Sequence, residues 1–193
     1  MRRLTSKKDE EKKQKRNNLI LGIILIVVML FSTLGYGFLG RPSDESTSDS
    51  NKITYNGYEF LAQNGFWILN YQGTDFVFKY NPEEVTSIYS IINNLDSYFQ
   101  KPLYIYSEDI SSETEIYVNL NNVVLRIQKA CIEGNICPDE NLPTKTCADN
   151  FIIIKESNIT DITQQNNCVF IEGEKENLLK LTDEFLFKIL EIE

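Results

Sequence analysis

The sequence predicts an α+β fold with a mixed sheet, carried behind a single N-terminal transmembrane helix, and three observations predict it. Residues 19–39, LILGIILIVVMLFSTLGYGFL, form an uncharged apolar run. Residues 53–80 alternate apolar and polar side chains between glycine-marked turns, and beyond residue 81 apolar stripes at helical spacing are interleaved with short β-branched runs. The expected order behind the span is β-β-β-α-β-α-β-β-α, with hairpins segregated in front and a strand-helix-strand crossover behind.

At about 1.5 Å per residue the 19–39 run reaches roughly 31 Å, the hydrocarbon thickness of a bilayer. Residues 1–18 before it carry eight basic side chains against three acids, net +5, which places the N-terminus in the cytoplasm and the C-terminal bulk outside. A cleavable signal peptide is the rival reading, but the apolar run exceeds the usual length and continues through Tyr36, Phe38 and Leu39. The chain as a whole is −9, so residues 41–193 carry −14. Such an acidic domain is a poor partner for nucleic acid, while the basic flank suits anionic lipid headgroups. The expected organisation is a cytoplasmic flank at 1–18, the span at 19–39, a flexible linker at 40–52 and an extracytoplasmic domain at 53–193. The linker, rich in Pro, Ser and acids, has almost nothing apolar to bury.

The first part of the domain is expected to be an antiparallel meander, counted as three strands. Asn56-Gly57 between ITY and YEF is a hairpin signal, and Gly65 and Gly73 punctuate FWILNYQ and TDFVFKY. Its aromatic residues, Tyr55, Tyr58, Phe60, Phe66, Trp67, Tyr71, Phe76 and Phe78, are assigned to the core face of a sheet in preference to a sugar- or peptide-binding face. Asn81-Pro82 has the composition of a helix start, and Val85, Ile88, Tyr89, Ile92, Leu95 and Phe99 follow at helical spacing. After Pro102 the run LYIYS is expected as a strand. Ser112 and Glu115 have capping-box spacing, and Ile116, Leu120, Val123, Val124, Ile127 and Cys131 extend a second helix toward Gly134. FIII (151–154) and CVFI (168–171) read as buried strands, the first parallel to LYIYS. A last helix from about Lys175 should bury Leu178, Leu181, Phe185, Leu186 and Ile189.

All four cysteines, Cys131, Cys137, Cys147 and Cys168, fall on the side assigned as outside, where an even number argues for disulfides. Three connectivities are possible; Cys131–Cys137 with Cys147–Cys168 is preferred, the second pair requiring FIII and CVFI to start side by side, as parallel strands do. Zinc is disfavoured, because no short chelating pair of cysteines occurs, and no other metal or cofactor is expected. The chain has no histidine, which excludes Ser-His-Asp and Cys-His nucleophile pairs and histidine-containing zinc motifs within it. Carboxylate chemistry or a Ser-Lys dyad remains. Glu108-Asp109 follows LYIYS where α/β sites form, but adjacent acids before a helix suit its dipole without any chemistry, and the pair Asp139-Glu140 falls in a loop. A lysine base would need deep desolvation, and every lysine of the outer domain is assigned to a polar face or loop. Asn158-Ile159-Thr160 is a glycosylation sequon on an expected surface loop.

The segments YNGYEF, GFWIL, TDFVFKYNPEEV, the Cys131 and Cys137 stretches and NCVFIEG before a Leu-rich end resemble uncharacterised single-pass archaeal membrane proteins with a cysteine-containing extracytoplasmic domain. That resemblance implies the architecture and brings no activity or site residue. The expected function is a membrane-anchored, non-catalytic domain that binds or scaffolds an unknown extracytoplasmic protein or envelope partner; the alternative is a cell-envelope hydrolase using carboxylates.

Overall fold

The structure, a computed structural model, describes residues 51–192 except 135, 136, 138 and 140. The predicted span, its basic flank and nearly all of the linker lie outside the described residues. Within them the protein is mixed α+β with two α-helices, and no helix there is long and apolar enough to cross a membrane.

The meander has four strands where three were expected: β1 (Lys52–Tyr55), β2 (Tyr58–Gln63), β3 (Phe66–Tyr71) and β4 (Thr74–Phe78), antiparallel in chain order. Asn56-Gly57 turns with φ of 46° and 86°, the two positive values a type I′ hairpin needs, and Asn64-Gly65 and Gln72-Gly73 repeat the pattern. Three tight turns make each run a separate strand. Phe60, Leu69, Phe76 and Phe78 point into the core, with Trp67 and Tyr71 packed beside them. Phe66 belongs to the opposite face, against the expectation, and lies half-exposed under the Lys79 ammonium.

The helix expected after Asn81-Pro82 does not form. Its first turn is capped as foreseen, with the Asn81 N–H donating to Glu84 Oε2 and the Glu83 N–H to Asn81 Oδ1, but the chain then runs irregularly to a short 3-10 turn at Leu95–Ser97. VTSIYSIINN contains no strong helix former, so nothing local propagates the first turn. Acceptors elsewhere hold it extended: the Ile88 N–H donates to Glu184 Oε1 and the Asn93 N–H to Gln164 Oε1. Val85, Ile88, Ile92 and Leu95 still pack on the core, while Tyr89 and Ile91 face solvent at 91% and 81% exposure. Residues 81–94 are thus a strap.

The second sheet contains β5 (Pro102–Ser107), β6 (Arg126–Lys129), β9 (Asn150–Glu156), β10 (Asp161–Gln165) and β11 (Cys168–Gly173), in the order β10-β11-β9-β5-β6. β5 pairs in parallel with β9, and β9 with β11, as the buried runs suggested; β5 also pairs in parallel with β6, whose residues were expected in a helix. Helix α1 spans Ile110–Leu120 and stops ten residues or more before the expected end. Asn121 and Asn122 favour a turn, and Arg126–Lys129 beyond it are taken up by the free edge of β5. Val123 and Val124 are buried as their spacing required, although in a turn, and Gly134 (φ 85°) sits in a turn after β7 (Cys131–Ile132), which pairs with β8 (Thr144–Lys145). The α1 cap is Asp109, which accepts from the Ser112 N–H at 2.7 Å; the Ser112–Glu115 capping box is not used. β10, an antiparallel edge strand, had no apolar run to announce it.

Helix α2 (Leu178–Ile189) is buried on nearly every side. Phe187 stacks against Phe60 and Phe78 of the meander, with ring centres 5.8 and 4.6 Å away, while the helix packs on β9, β11 and α1 along its other flanks. The two sheets therefore share one core through this helix, which explains how so acidic a domain stays folded: its apolar contacts are concentrated on one central element.

Candidate functional site

The expected acids at the end of β5 are occupied structurally. Asp109 caps α1 through the Ser112 N–H and hydroxyl, and Glu108 Oε2 accepts from the Glu156 N–H at 2.8 Å while Oε1 accepts from the Tyr106 hydroxyl. They fasten a helix and two strand ends. Asp139 accepts from Asn141 within its own loop, which lowers its pKa; Glu140 is outside the described residues.

The acids that burial does perturb are others. Glu115 on α1 is 8% exposed, and Asp183 and Glu184 on α2 are essentially sealed. α1 lies along the edge of β4 and replaces a missing strand with side chains: Asn119 exchanges two 2.7 Å bonds with the Val77 backbone, and Glu115 Oε1 accepts from the Lys79 N–H. Asp183 Oδ2 accepts from the Tyr80 N–H at 2.8 Å. Glu115 and Asp183 also bond to each other. Burial raises both carboxyl pKa values, and at Asp183 the charge of Glu115 adds to it. Asp183 Oδ1 is buried without a hydrogen-bond partner among the described residues. Glu184 pairs with Lys188 at 3.3 Å, and the Lys188 side chain is only 9% exposed, against the expectation that every lysine would lie on a polar face. The one signal for these groups was an Asp-Glu pair between Leu181 and Phe187, inside a stripe apolar on both sides.

The cysteines form the two preferred pairs, Cys131–Cys137 and Cys147–Cys168, with Cα separations of 5.5 and 4.9 Å. Cys168 and Phe151 are register partners of the parallel β9 and β11, as the second pair required. Ile132 and Cys147, beside these disulfides, pack with Tyr104, Phe151 and Ile153 on the outer face of the second sheet. There Arg126 Nη2 donates to the Tyr104 hydroxyl at 3.1 Å, and the Lys145 ammonium lies 4.3 Å from the centre of the same ring. Hydrogen bonds from Lys145 and then Arg126 hold the Tyr104 pKa below its ordinary value. Asn158 is exposed in the turn between β9 and β10.

Two open hollows mark the meander. One, about 520 Å³, lies on its outer face over Leu61 and Ile68, between Glu59, Gln63, Asn70 and Asp75. The other, about 330 Å³, lies beside the Gln72-Gly73 turn against Leu95, Phe99 and Val123. Neither has Glu115 or Asp183 in its wall. No group of three acids or cysteines converges as a metal-ligand set among the described residues. No family model matches the chain, and no curated protein or solved structure does.

Proposed function

We propose that the protein is a membrane-anchored binding domain without catalysis. Residues 19–39 hold it in the bilayer, the basic 1–18 flank rests on cytoplasmic anionic headgroups, and the domain beyond the linker docks an extracytoplasmic protein or envelope partner. The supporting observation is the outer face of the meander: Leu61, Ile68 and Val77 are register neighbours in a row across three strands, Leu61 is 49% exposed, and the open hollow lies over the first two. An apolar row with a polar rim on an uncovered sheet suits a docked surface better than a buried reaction. A photo-cross-linking side chain placed at Leu61 of the full-length protein in intact cells should yield a discrete adduct that the same side chain at Gln128, on the second sheet, does not. Adducts from both positions alike, or from neither, would overturn this reading.

The hydrolase alternative draws on the raised Glu115–Asp183 pair, since a carboxylic acid kept protonated near neutral pH is what general-acid catalysis needs. Both groups already accept backbone N–H bonds beneath β4 and the strap, which leaves no reach to a substrate. Full in vivo function in a folded Glu115→Gln protein is expected, and loss of that function with fold and abundance intact would restore the hydrolase.

A further inference from the structure

The 41–193 portion holds 25 acids and 11 basic residues, so its cations have an excess of carboxylates to pair with. Two of them converge instead on one phenol. Arg126, at the start of β6, donates to the Tyr104 hydroxyl from the neighbouring strand, and no carboxylate lies within 4.0 Å of its guanidinium among the described residues. Lys145 covers the ring of the same tyrosine from the opposite wall, and its one acid, Asp149, is at the 4.0 Å limit of an ion pair.

The three groups are held before any ligand arrives. The Tyr104 ring is buried against Phe151, leaving the hydroxyl as its polar end. The Arg126 backbone is fixed by its register pairing with Pro102, and its guanidinium is positioned by the bond to Tyr104. Lys145 sits on β8, which is tied to β7 by Cys131 N–H donating to the Pro143 carbonyl and Glu133 N–H donating to the Lys145 carbonyl, both at 2.9 Å. Cys131 and Cys147 anchor that two-stranded piece by disulfides on either side. A phenol oxygen that accepts from Arg126 keeps its own hydrogen, which points away from the guanidinium as a further donor, while the Lys145 ammonium lies over the ring.

We propose that Arg126, Lys145 and the Tyr104 hydroxyl form a receptor for one phosphate group, with the β7–β8 pair and its flanking disulfides serving to hold Lys145 in place. Two full positive charges with an added hydroxyl donor suit a phosphate, whose charge and number of oxygens exceed what a lone carboxylate offers. The site lies on the second sheet and stands independently of the hollow on the meander.

The test uses the full-length protein in detergent micelles, titrated with inorganic phosphate at constant ionic strength and pH and read by the unfolding midpoint. The midpoint should rise and saturate with phosphate. Arg126→Gln, at an exposed position where folding is safe, should weaken the response about tenfold or more, and Tyr104→Phe, which keeps the ring and removes the third donor, by a smaller factor. Acetate at the same ionic strength should give no saturable rise. Vesicles carrying phosphate-headgroup lipid that compete with the inorganic ion would identify a lipid as the source, and failure to compete a free or glycan-borne phosphate. No saturable rise, an equal rise in Arg126→Gln, or an equal response to acetate would overturn the assignment.

Discussion

Two polar clusters in this domain are arranged in opposite ways. Glu115, Asp183 and Glu184 are sealed between the helices, the end of β4 and the strap, and each carboxylate accepts a backbone N–H. Tyr104, Arg126 and Lys145 lie on the outer face of the second sheet, and their donors are left over after the tyrosine is satisfied. The first cluster has raised carboxyl pKa values and no access; the second has an exposed guanidinium whose donors no described carboxylate takes up. A raised carboxyl pKa therefore marks the structural cluster here, and the unspent hydrogen bonds mark the one fit to meet a ligand.

The comparison breaks most readily at Asp183. Its removal strips the acceptor from the Tyr80 N–H, leaves Glu115 without its partner and opens a hole beside α2. Asp183→Ala is therefore expected to cost about 3 kcal/mol or more. Urea denaturation of the full-length protein measures this; a loss under about 1 kcal/mol would mean that the cluster does not hold the strap. The next effect belongs to the other cluster. Cys147–Cys168 closes a separation of 21 residues and Cys131–Cys137 only 6, so Cys147→Ser with Cys168→Ser should lose the greater share, about 2–4 kcal/mol. Equal losses from the two pairs would show that strain, not loop closure, governs them.

How much of this was legible follows from where each signal resides. The meander, the parallel FIII and CVFI runs and both disulfides could be read because tight turns and buried strands leave local marks, and one parallel pairing then fixed the cysteines. The strap could not be read. Its residues keep helical spacing, but Glu184 and Gln164, 96 and 71 residues away, decide that its N–H groups are satisfied without a helix. The 112–132 helix was overextended for a similar reason, since the edge of β5 competes for Arg126–Lys129 only once the sheet exists. Glu115 and Asp183 meet across helices distant in sequence, and Tyr104, Arg126 and Lys145 across two strands and a stapled loop. No window of sequence contains either site.

A smaller effect sharpens the comparison through pH. Both Glu115 and Asp183 have folded pKa values raised above their unfolded ones, so their contribution is fully present below the unfolded values near 4. As pH rises the unfolded chain releases its protons first, and stability should fall by about 1.4 kcal/mol per pH unit for each proton still held, until the pH passes the folded values. Lys79 opposes the shift of Glu115, and the Glu184–Lys188 pair lies on the neighbouring turn of α2. Urea midpoints of the full chain from pH 5 to pH 9, the upper end set by Asp183 being pushed up to about 9, should decline in the wild type and decline less steeply in Glu115→Gln, where Asp183 alone still titrates. A profile that rises toward alkaline pH would show the pair to be ionised in the fold.

The smallest effect is expected at Glu108 and Asp109, the candidate acids that the sequence reading assigned to the helix dipole rather than to chemistry. Asn caps a helix as well as Asp does, because either side chain presents an oxygen to the N–H three residues on, so Asp109→Asn should leave the Ser112 bond in place. Glu108 holds the Glu156 N–H and the Tyr106 hydroxyl with separate oxygens; Gln keeps one acceptor for the backbone N–H and gives up the other, which served an exposed contact. The double variant Glu108→Gln, Asp109→Asn should therefore cost less than about 1 kcal/mol in urea denaturation and leave both the Leu61 adduct and phosphate binding unchanged. Carboxylate catalysis depends on charge and a transferable proton, which amides lack, whereas capping and strand tying depend only on an oxygen in position. A folded double variant that lost its in vivo function would separate those two roles and make the end of β5 a reaction centre.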